Sequence, residues 1–287
     1  MILAAGPYRL FACPACQVAF LFPQPNAQQL QSLYDEQYYG KDRKKFAGAI
    51  EAAVTALTRL KWNRVRPWLG KDGRLLDVGC GRGTLVKLAR AAGLEAYGLE
   101  RHYPGAPPAP YVLYQDLADC GFPAGHFQAV VLWHVLEHLP DPVATLQEIR
   151  RVLKPGGCLS VAVPNVGGAQ ALASGAHWFH LDLPRHFWHF SPPALEALLE
   201  RSGFHITRRA TFSFEYDWFG TLQSWMNRLA KNENRLYARL KGEPRAQGNT
   251  GPQLLLAAAL SAPALASALW DAICGRGGTL TLVARKP

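Results

Sequence analysis

Two acids and three glycines carry the most legible chemistry in this chain. Residues 74–83 read Arg-Leu-Leu-Asp-Val-Gly-Cys-Gly-Arg-Gly, with Asp77 two positions before the first of Gly79, Gly81 and Gly83. Glycines at such a turn let backbone take φ > 0 or lie against a ligand with no Cβ in the way. A carboxylate fixed beside that turn repels phosphate and attracts an ammonium, while the bare N–H groups suit a carboxylate. Glu100 comes about twenty residues after the turn, where an α/β nucleotide site places an acid that accepts both ribose hydroxyls. The ligand these residues describe has an amino-acid end and a ribose, and no pyrophosphate.

A second cluster is histidine-rich. His134, Glu137 and His138 match H-x-x-E-H, a pattern that binds zinc when a helix turns both histidines toward one metal. Here it follows an apolar run and precedes Leu139-Pro140-Asp141-Pro142, which stops a long helix, so a protease is disfavoured. Farther on lie His177, His180, His186 and His189, among Trp178, Phe179, Phe187, Trp188 and Phe190. A general base helps where an acceptor hydroxyl or amine must lose a proton; His186 is the first candidate and His134 the second.

S-adenosylmethionine (SAM) fits the first set: it carries an α-ammonium, an α-carboxylate and a ribose, and no phosphate. The turn hhD-h-G-x-G-x-G resembles the first motif of the class I SAM-dependent methyltransferases. The match continues in order through Trp133-His-Val-Leu-Glu-His-Leu139, Arg151-Val-Leu-Lys-Pro-Gly-Gly157 and the strands between them. The branch resembled is the methyltransferase domain 23 group, which includes ubiquinone-biosynthesis O-methyltransferases. The resemblance implies direct transfer of the sulfonium methyl to a small-molecule, lipid or glycan acceptor. It implies cofactor contacts from Asp77, Gly79, Cys80, Gly81, Gly83 and Glu100, from Asp116 and Leu117 at the adenine, and from Trp133 and His134 along the pocket. It also implies an N-terminal helical lid, in which Tyr39 is a candidate for a cation–π contact with the sulfonium. Some relatives hold Mg²⁺ with an E-x-x-E-H phrase; His134 stands where they have the first Glu, and Mg²⁺ prefers oxygen ligands. No metal is therefore assigned, and Glu137 and His138 are read as bracing the loop. Two rival readings are a SAM-fold protein without activity and an NAD-dependent oxidoreductase; Asp77 and the early third glycine speak against the latter.

These residues need a scaffold. Leu75, Leu76 and Val78 suit a strand buried on both faces, and Thr84–Ala92 has helical spacing closed by Gly93. Further strands are expected over 96–100, 111–114, 127–133, 158–163, 205–213 and 279–284. Asp141-Pro142 opens a helix as N-cap and first helical residue, and Ser191-Pro192 opens another. A stripe through Phe46, Ile50, Val54, Leu57, Leu60, Val65 and Trp68 predicts an N-terminal helix. The expected fold is α/β: a seven-stranded doubly wound, Rossmann-like sheet with an antiparallel last strand. Residues 41–213 and 276–287 would form the SAM-binding domain, with 1–40 a hairpin remnant and short helix.

Cys13-Pro-Ala-Cys16 is half of a zinc knuckle; a tetrahedral site needs a second half, and none precedes it. The six cysteines show no disulfide spacing, and nothing in Met1–Phe22 reads as a secretory signal, so a reducing, cytoplasmic compartment is expected. Residues 214–275 form an insertion with a basic run, Arg228, Lys231, Arg235, Arg239 and Lys241, followed by an uncharged stretch, Leu254–Trp270. It reads as a lid, a homodimer face, or an element peripheral to an anionic inner membrane surface, a reading the net charge of +10 accommodates, and least of all as a membrane span, since seventeen residues with Pro263 mid-run are marginal for a bilayer. No nucleic-acid partner is expected, because the basic residues sit in no recognisable reader motif.

Overall fold

A computed structural model describes residues 3–5, 7–34, 49–101, 109–230, 234–243 and 251–287. The central strand is β4 (Arg74–Val78), flanked in parallel by β5 (Glu95–Leu99) and β7 (Phe127–Trp133). Outward from β5 lies β6 (Val112–Leu113); outward from β7 lies β8 (Leu153–Pro164), also parallel. The last strand, β11 (Thr279–Arg285), runs antiparallel between β8 and β10 (His205–Ala210). The seven-stranded order is therefore β10-β11-β8-β7-β4-β5-β6, with the antiparallel strand where the sequence reading expects one.

Strand alternation divides the core in two. Leu75, Ala129 and Val131 face a layer built from Trp62, Val65, Leu85, Val86 and Ala89. Their neighbours Leu76, Val130 and Leu132 face Leu146, Ile149, Leu195 and Leu199 on the other side. The first layer comes from α2 (Ala49–Val65) and α3 (Thr84–Ala91), the second from α4 (Pro142–Val152) and α6 (Pro192–Arg201). Asp141 caps α4 by accepting from Ala144 N at 2.9 Å. The inward stripe of α2 differs from the expected one: Leu60 is 56% exposed and Val54 36%, while Lys61 is half-buried and Trp62 buried.

Strand eight begins earlier than the glycines suggest. Leu153-Lys-Pro-Gly-Gly is already extended, and the register against β7 shifts between Phe127 and Ala129 to absorb it. Strand β10 ends at Ala210 rather than at residue 213.

The N-terminal hairpin belongs to a second sheet. Strands β1 (Leu3–Ala5), β2 (Tyr8–Ala12) and β3 (Ala19–Phe22) pair antiparallel, and β3 pairs with β9 (Trp188–His189). A lone hairpin is marginal in water; here Phe20 meets Trp188 at 6.3 Å and the sheet anchors the histidine-rich segment. Cys13 and Cys16 lie in the β2–β3 turn, and among the described residues no further His, Cys, Asp or Glu joins them in a metal-sized group. The short helix α1 (Ala27–Leu33) opens on a reciprocal box, Asn26 N to Gln29 Oε1 and Gln29 N to Asn26 Oδ1, each 2.9 Å.

The insertion folds as α7 (Phe214–Ala230), α8 (Arg235–Leu240) and α9 (Gly251–Ile273). A dry polar network docks α7 on the sheet. Asp217 accepts from Thr279 Oγ1 at 2.6 Å and from Gly278 N at 3.0 Å. Gln170, on α5 (Ala169–Ser174), donates to Asp217 O and Thr221 Oγ1 and accepts from Trp178 Nε1. A Cβ at Gly277 would lie 1.6 Å from Thr211 O, so the approach of β11 requires glycine there.

Candidate active site

The carboxyl ends of β4, β5 and β7 open onto one crevice. At the end of β4 the chain turns through Gly79, Gly81 and Gly83, all with positive φ. Gly79 N and Cys80 N both donate to Leu99 O, at 2.7 and 2.9 Å, which sews the turn to β5. A Cβ at Gly79 would stand 2.1 Å from Val135 Cγ2, so the turn lies hard against the loop after β7. Cys80 turns its sulfur down toward Gly98, where a Cβ would meet Sγ at 2.5 Å. Burial, with Asp77 and Glu100 nearby, pushes its thiol far up, so it is packing, and only its backbone can serve a ligand.

Glu100 reaches back to this turn: Gly81 N donates to Oε2 at 2.7 Å and Arg101 N to Oε1 at 3.1 Å. Asp77 is 7% exposed. Burial pushes its carboxyl up to about 8, the Glu100 charge adds to this, and Lys61 opposes it. Two acids held close in a partly closed pocket are a standing invitation to a cation. Asp116 sits exposed ahead of the turn Leu117–Cys120, and Leu117 is buried beneath it. Trp133 is fixed by its Nε1 donating to Ser160 Oγ at 3.2 Å. Tyr39 lies outside the described residues.

Beyond Trp133 the backbone kinks. His134 takes φ 57°, donates its N–H to Ala162 O, and stacks on Tyr216 with ring centroids 3.6 Å apart. Burial, and then the Lys61 charge, hold its imidazole down at about 3, so it is neutral. A non-glycine residue in the left-handed region marks a position the surroundings over-determine.

Next to it stands a group that spacing alone does not disclose. Glu137, His138 and His186 each offer a ligand atom within 4.8 Å of the others. Glu137 is 1% exposed and neither of its carboxylate oxygens has a hydrogen-bond partner. His138 Nδ1 lies 3.0 Å from Arg185 O and 3.0 Å from the Tyr34 hydroxyl. His186 Nδ1 lies 2.8 Å from His180 O. A carbonyl only accepts, so each ring carries its proton on Nδ1 and its lone pair on Nε2. Backbone carbonyls that fix the tautomer and aim the other nitrogen are what metal-ligating histidines have. The rings meet edge to face, 4.5 Å apart. Two imidazoles and one carboxylate are a poor set for Mg²⁺ and a good one for a nitrogen-accepting transition metal such as Zn²⁺, Mn²⁺ or Fe²⁺. The sequence reading assigns no metal because His134 replaces an expected Glu; the third candidate ligand, His186, is far from Glu137 along the chain and only the fold brings it there.

Sequence reasoning also missed Lys61, Glu215 and Tyr216. Lys61 forms an ion pair with Glu215, and its ammonium lies 5.6 Å from the Trp133 ring and 5.3 Å from that of Tyr216. The signal was there for Lys61: a lysine four residues from both Leu57 and Val65 stands on the inward stripe of a helix.

A family model described as a methyltransferase domain matches residues 50–208. The chain belongs to the class I SAM-dependent methyltransferases. Among curated relatives, this methyltransferase is 35% identical over 160 residues to a ubiquinone biosynthesis O-methyltransferase of Xanthomonas axonopodis pv. citri, covering 46% of this chain and 63% of that one. It is 29% identical over 141 residues to the enzyme of the same name from Thiobacillus denitrificans, covering 44% and 60%. The match spans about three fifths of those relatives. Among solved structures, a SAM-dependent methyltransferase from Archaeoglobus fulgidus superposes with a TM-score of 0.53 at 20% identity, over 89% of this chain and 99% of that one. The [4+2]-cyclase SpnF superposes with a TM-score of 0.56 at 22% identity, over 92% and 97%. At these identities the structures speak for the fold alone. The methyltransferase takes SAM as its cofactor.

Proposed function

We propose that this methyltransferase transfers the SAM methyl to the oxygen of a small hydroxylated acceptor seated beside Trp133-His134 and the Glu137–His138–His186 group. The observation that carries the reading is the Glu137 carboxylate, buried without a hydrogen-bond partner, beside two histidines whose Nε2 lone pairs are free of their backbone partners. The relatives named as O-methyltransferases support oxygen as the nucleophile.

Asp77 would hold the α-ammonium, Lys61 the α-carboxylate, and Glu100 the ribose hydroxyls, with the bare glycine turn giving the cofactor room, so that the methyl group points along one line toward the acceptor. Alignment of this kind supplies much of the rate in a displacement at carbon. The acceptor oxygen forms the new bond to carbon, the C–S bond breaks, and its electron pair stays on sulfur as the neutral thioether. The acceptor's proton has to leave. His134, a neutral imidazole held too weakly basic by burial and Lys61 to keep that proton, would accept a hydrogen bond from the acceptor hydroxyl, and the proton would pass on to solvent. A divalent ion held by Glu137, His138 and His186 would lower the pKa of a nearby hydroxyl. The stacked Tyr216 ring and the insertion behind it exclude water on that side.

The test is label transfer from methyl-labelled SAM to matched sets of phenols, catechols, amines and thiols, together with calorimetric titration of Zn²⁺ and Mn²⁺. Methylation of hydroxyl acceptors, with stoichiometric ion binding that Glu137→Leu abolishes, is the expected result. Methylation of amines alone, or ion binding unchanged in Glu137→Leu, overturns it.

A further inference from the structure

Helix α9 presents a face that no other part of the described chain covers. Its inner side packs on α7 through Leu256, Ala257, Leu260 and Ala264, and Ser261 O accepts from Trp218 Nε1. Its outer side leaves Leu255 74%, Trp270 66% and Ile273 79% exposed, with Leu254 and Leu269 at 45% and 44%. Ala258, Ala259, Ala262 and Ala266 fill the surface between them. No charged residue occurs from Pro252 to Trp270. The helix is 23 residues long, and by length and composition it could cross a membrane. Packing against α7, which Asp217 and Gln170 bind to the sheet, instead holds it flat along the flank of the domain.

The charges around it have one sign. Among the described residues from 214 to 276, the exposed charged side chains are Arg228, Arg239 and Arg276. The acids Glu215, Asp217, Glu243 and Asp271 are half-buried or buried. An apolar helical face, an amphipathic Trp near one end and cations without exposed acids have the chemistry of an interfacial helix on anionic lipid. A second copy docked by this same face would, among the described residues from 214 to 276, bring more arginines to the rim and no exposed acid to meet them.

We propose that α9 docks this protein on the surface of an anionic bilayer, its Leu255–Ile273 face entering the headgroup boundary and Arg239 and Arg276 meeting lipid phosphates. The proposal does not depend on which acceptor the enzyme methylates.

The test is flotation of the full chain with phosphatidylcholine vesicles, with and without phosphatidylglycerol, at low and at high salt. Binding should require the anionic lipid and weaken as salt rises, each arginine changed in Arg239→Gln and Arg276→Gln lowering the partition about fivefold. The double variant Leu255→Glu/Trp270→Glu should stay in solution with an unchanged melting temperature, since both side chains are exposed. Failure to float with either vesicle overturns the proposal, as does equal binding to both. So does binding that survives the double variant, or a dimer in light scattering that the double variant dissociates while vesicles bind nothing.

Discussion

Lys61 and Glu215 form an ion pair that joins the N-terminal helix to the insertion, two segments 154 residues apart in sequence. The same ammonium bears on Asp77, Trp133, His134 and Tyr216. In the proposed binding pose this cation would meet the α-carboxylate of SAM while Asp77 would meet the ammonium. Lys61→Met should therefore raise the dissociation constants of SAM and S-adenosylhomocysteine by about tenfold or more, the worth of one charged hydrogen bond of about 1.5–3 kcal/mol. Its melting temperature should hardly move, because a partly solvated pair contributes about 0–1 kcal/mol. Calorimetry on the variant checks this; unchanged affinity would remove Lys61 from the site.

Asp77 predicts a pH profile. Its carboxyl is pushed up to about 8 in the free enzyme, against 3.8 for the ordinary group, by burial and then by Glu100. Between those values the folded protein holds a proton the unfolded chain has released, so this group's contribution to stability falls as pH rises from about 4 to about 8 and is flat above. The proposed binding pose needs Asp77 as a carboxylate. Affinity should rise with pH up to about 8 and then level off, and binding below that pH should release a proton. Asp77→Asn should bind weakly and lose this slope. Proton release is read from titrations in buffers of different ionisation enthalpy, and its absence near neutrality would mean Asp77 is already ionised.

Glu137 should be costly in the absence of a metal. Both of its oxygens are buried and unpaired, and such a group costs about 1–3 kcal/mol. In chelator, Glu137→Leu should be more stable than the wild type by an amount in that range. On adding Zn²⁺ the order should reverse: at a hundredfold excess over the dissociation constant the wild type gains about 2.7 kcal/mol, and the variant gains nothing. Thermal melts with and without chelator decide it. A variant less stable in chelator would show that the carboxylate is already satisfied.

Gly79 and Val135 should couple. A Cβ at position 79 would lie 2.1 Å from Val135 Cγ2, on a backbone with φ +73°. Gly79→Ala should cost about 2–3 kcal/mol from crowding and left-handed strain together. Adding Val135→Ala should recover the crowding part and leave the strain. Denaturant melts of the two singles and the double measure the coupling; strict additivity would mean that the loop, rather than the turn, gives way.

The strand, glycine turn and two acids are legible in the sequence because they lie close together along the chain. Asp77, Gly79, Gly81 and Gly83 lie within one strand–turn–helix unit, and Glu100 follows at the next strand end, so local pattern and tertiary position coincide. The Glu137–His138–His186 cluster is not. Glu137 and His138 were seen as a phrase, but their partner His186 arrives by way of a segment pinned to an N-terminal sheet that read as a leftover hairpin. Nothing in Phe20 or Trp188 alone announces that they will meet. Tyr216 was hidden for a similar reason: it comes from an insertion whose composition spoke of surfaces, not of a stacked wall over His134. The apolar run at 254–270 was visible, but its extent was not. The helix begins at Gly251 and continues to Ile273, because the flanking polar residues Gln253 and Asp271 are half-covered rather than excluded.

The place of β11 in the sheet has a consequence for biosynthesis. Its seven residues lie between β8 and β10, so during translation the outer strand has no neighbour to join until the wedge between them has been made. The growing chain must carry an open seam along β8 for as long as the insertion takes to emerge from the ribosome. Protection during that interval, by a chaperone or by a nearby lipid surface, would govern how much enzyme a cell recovers.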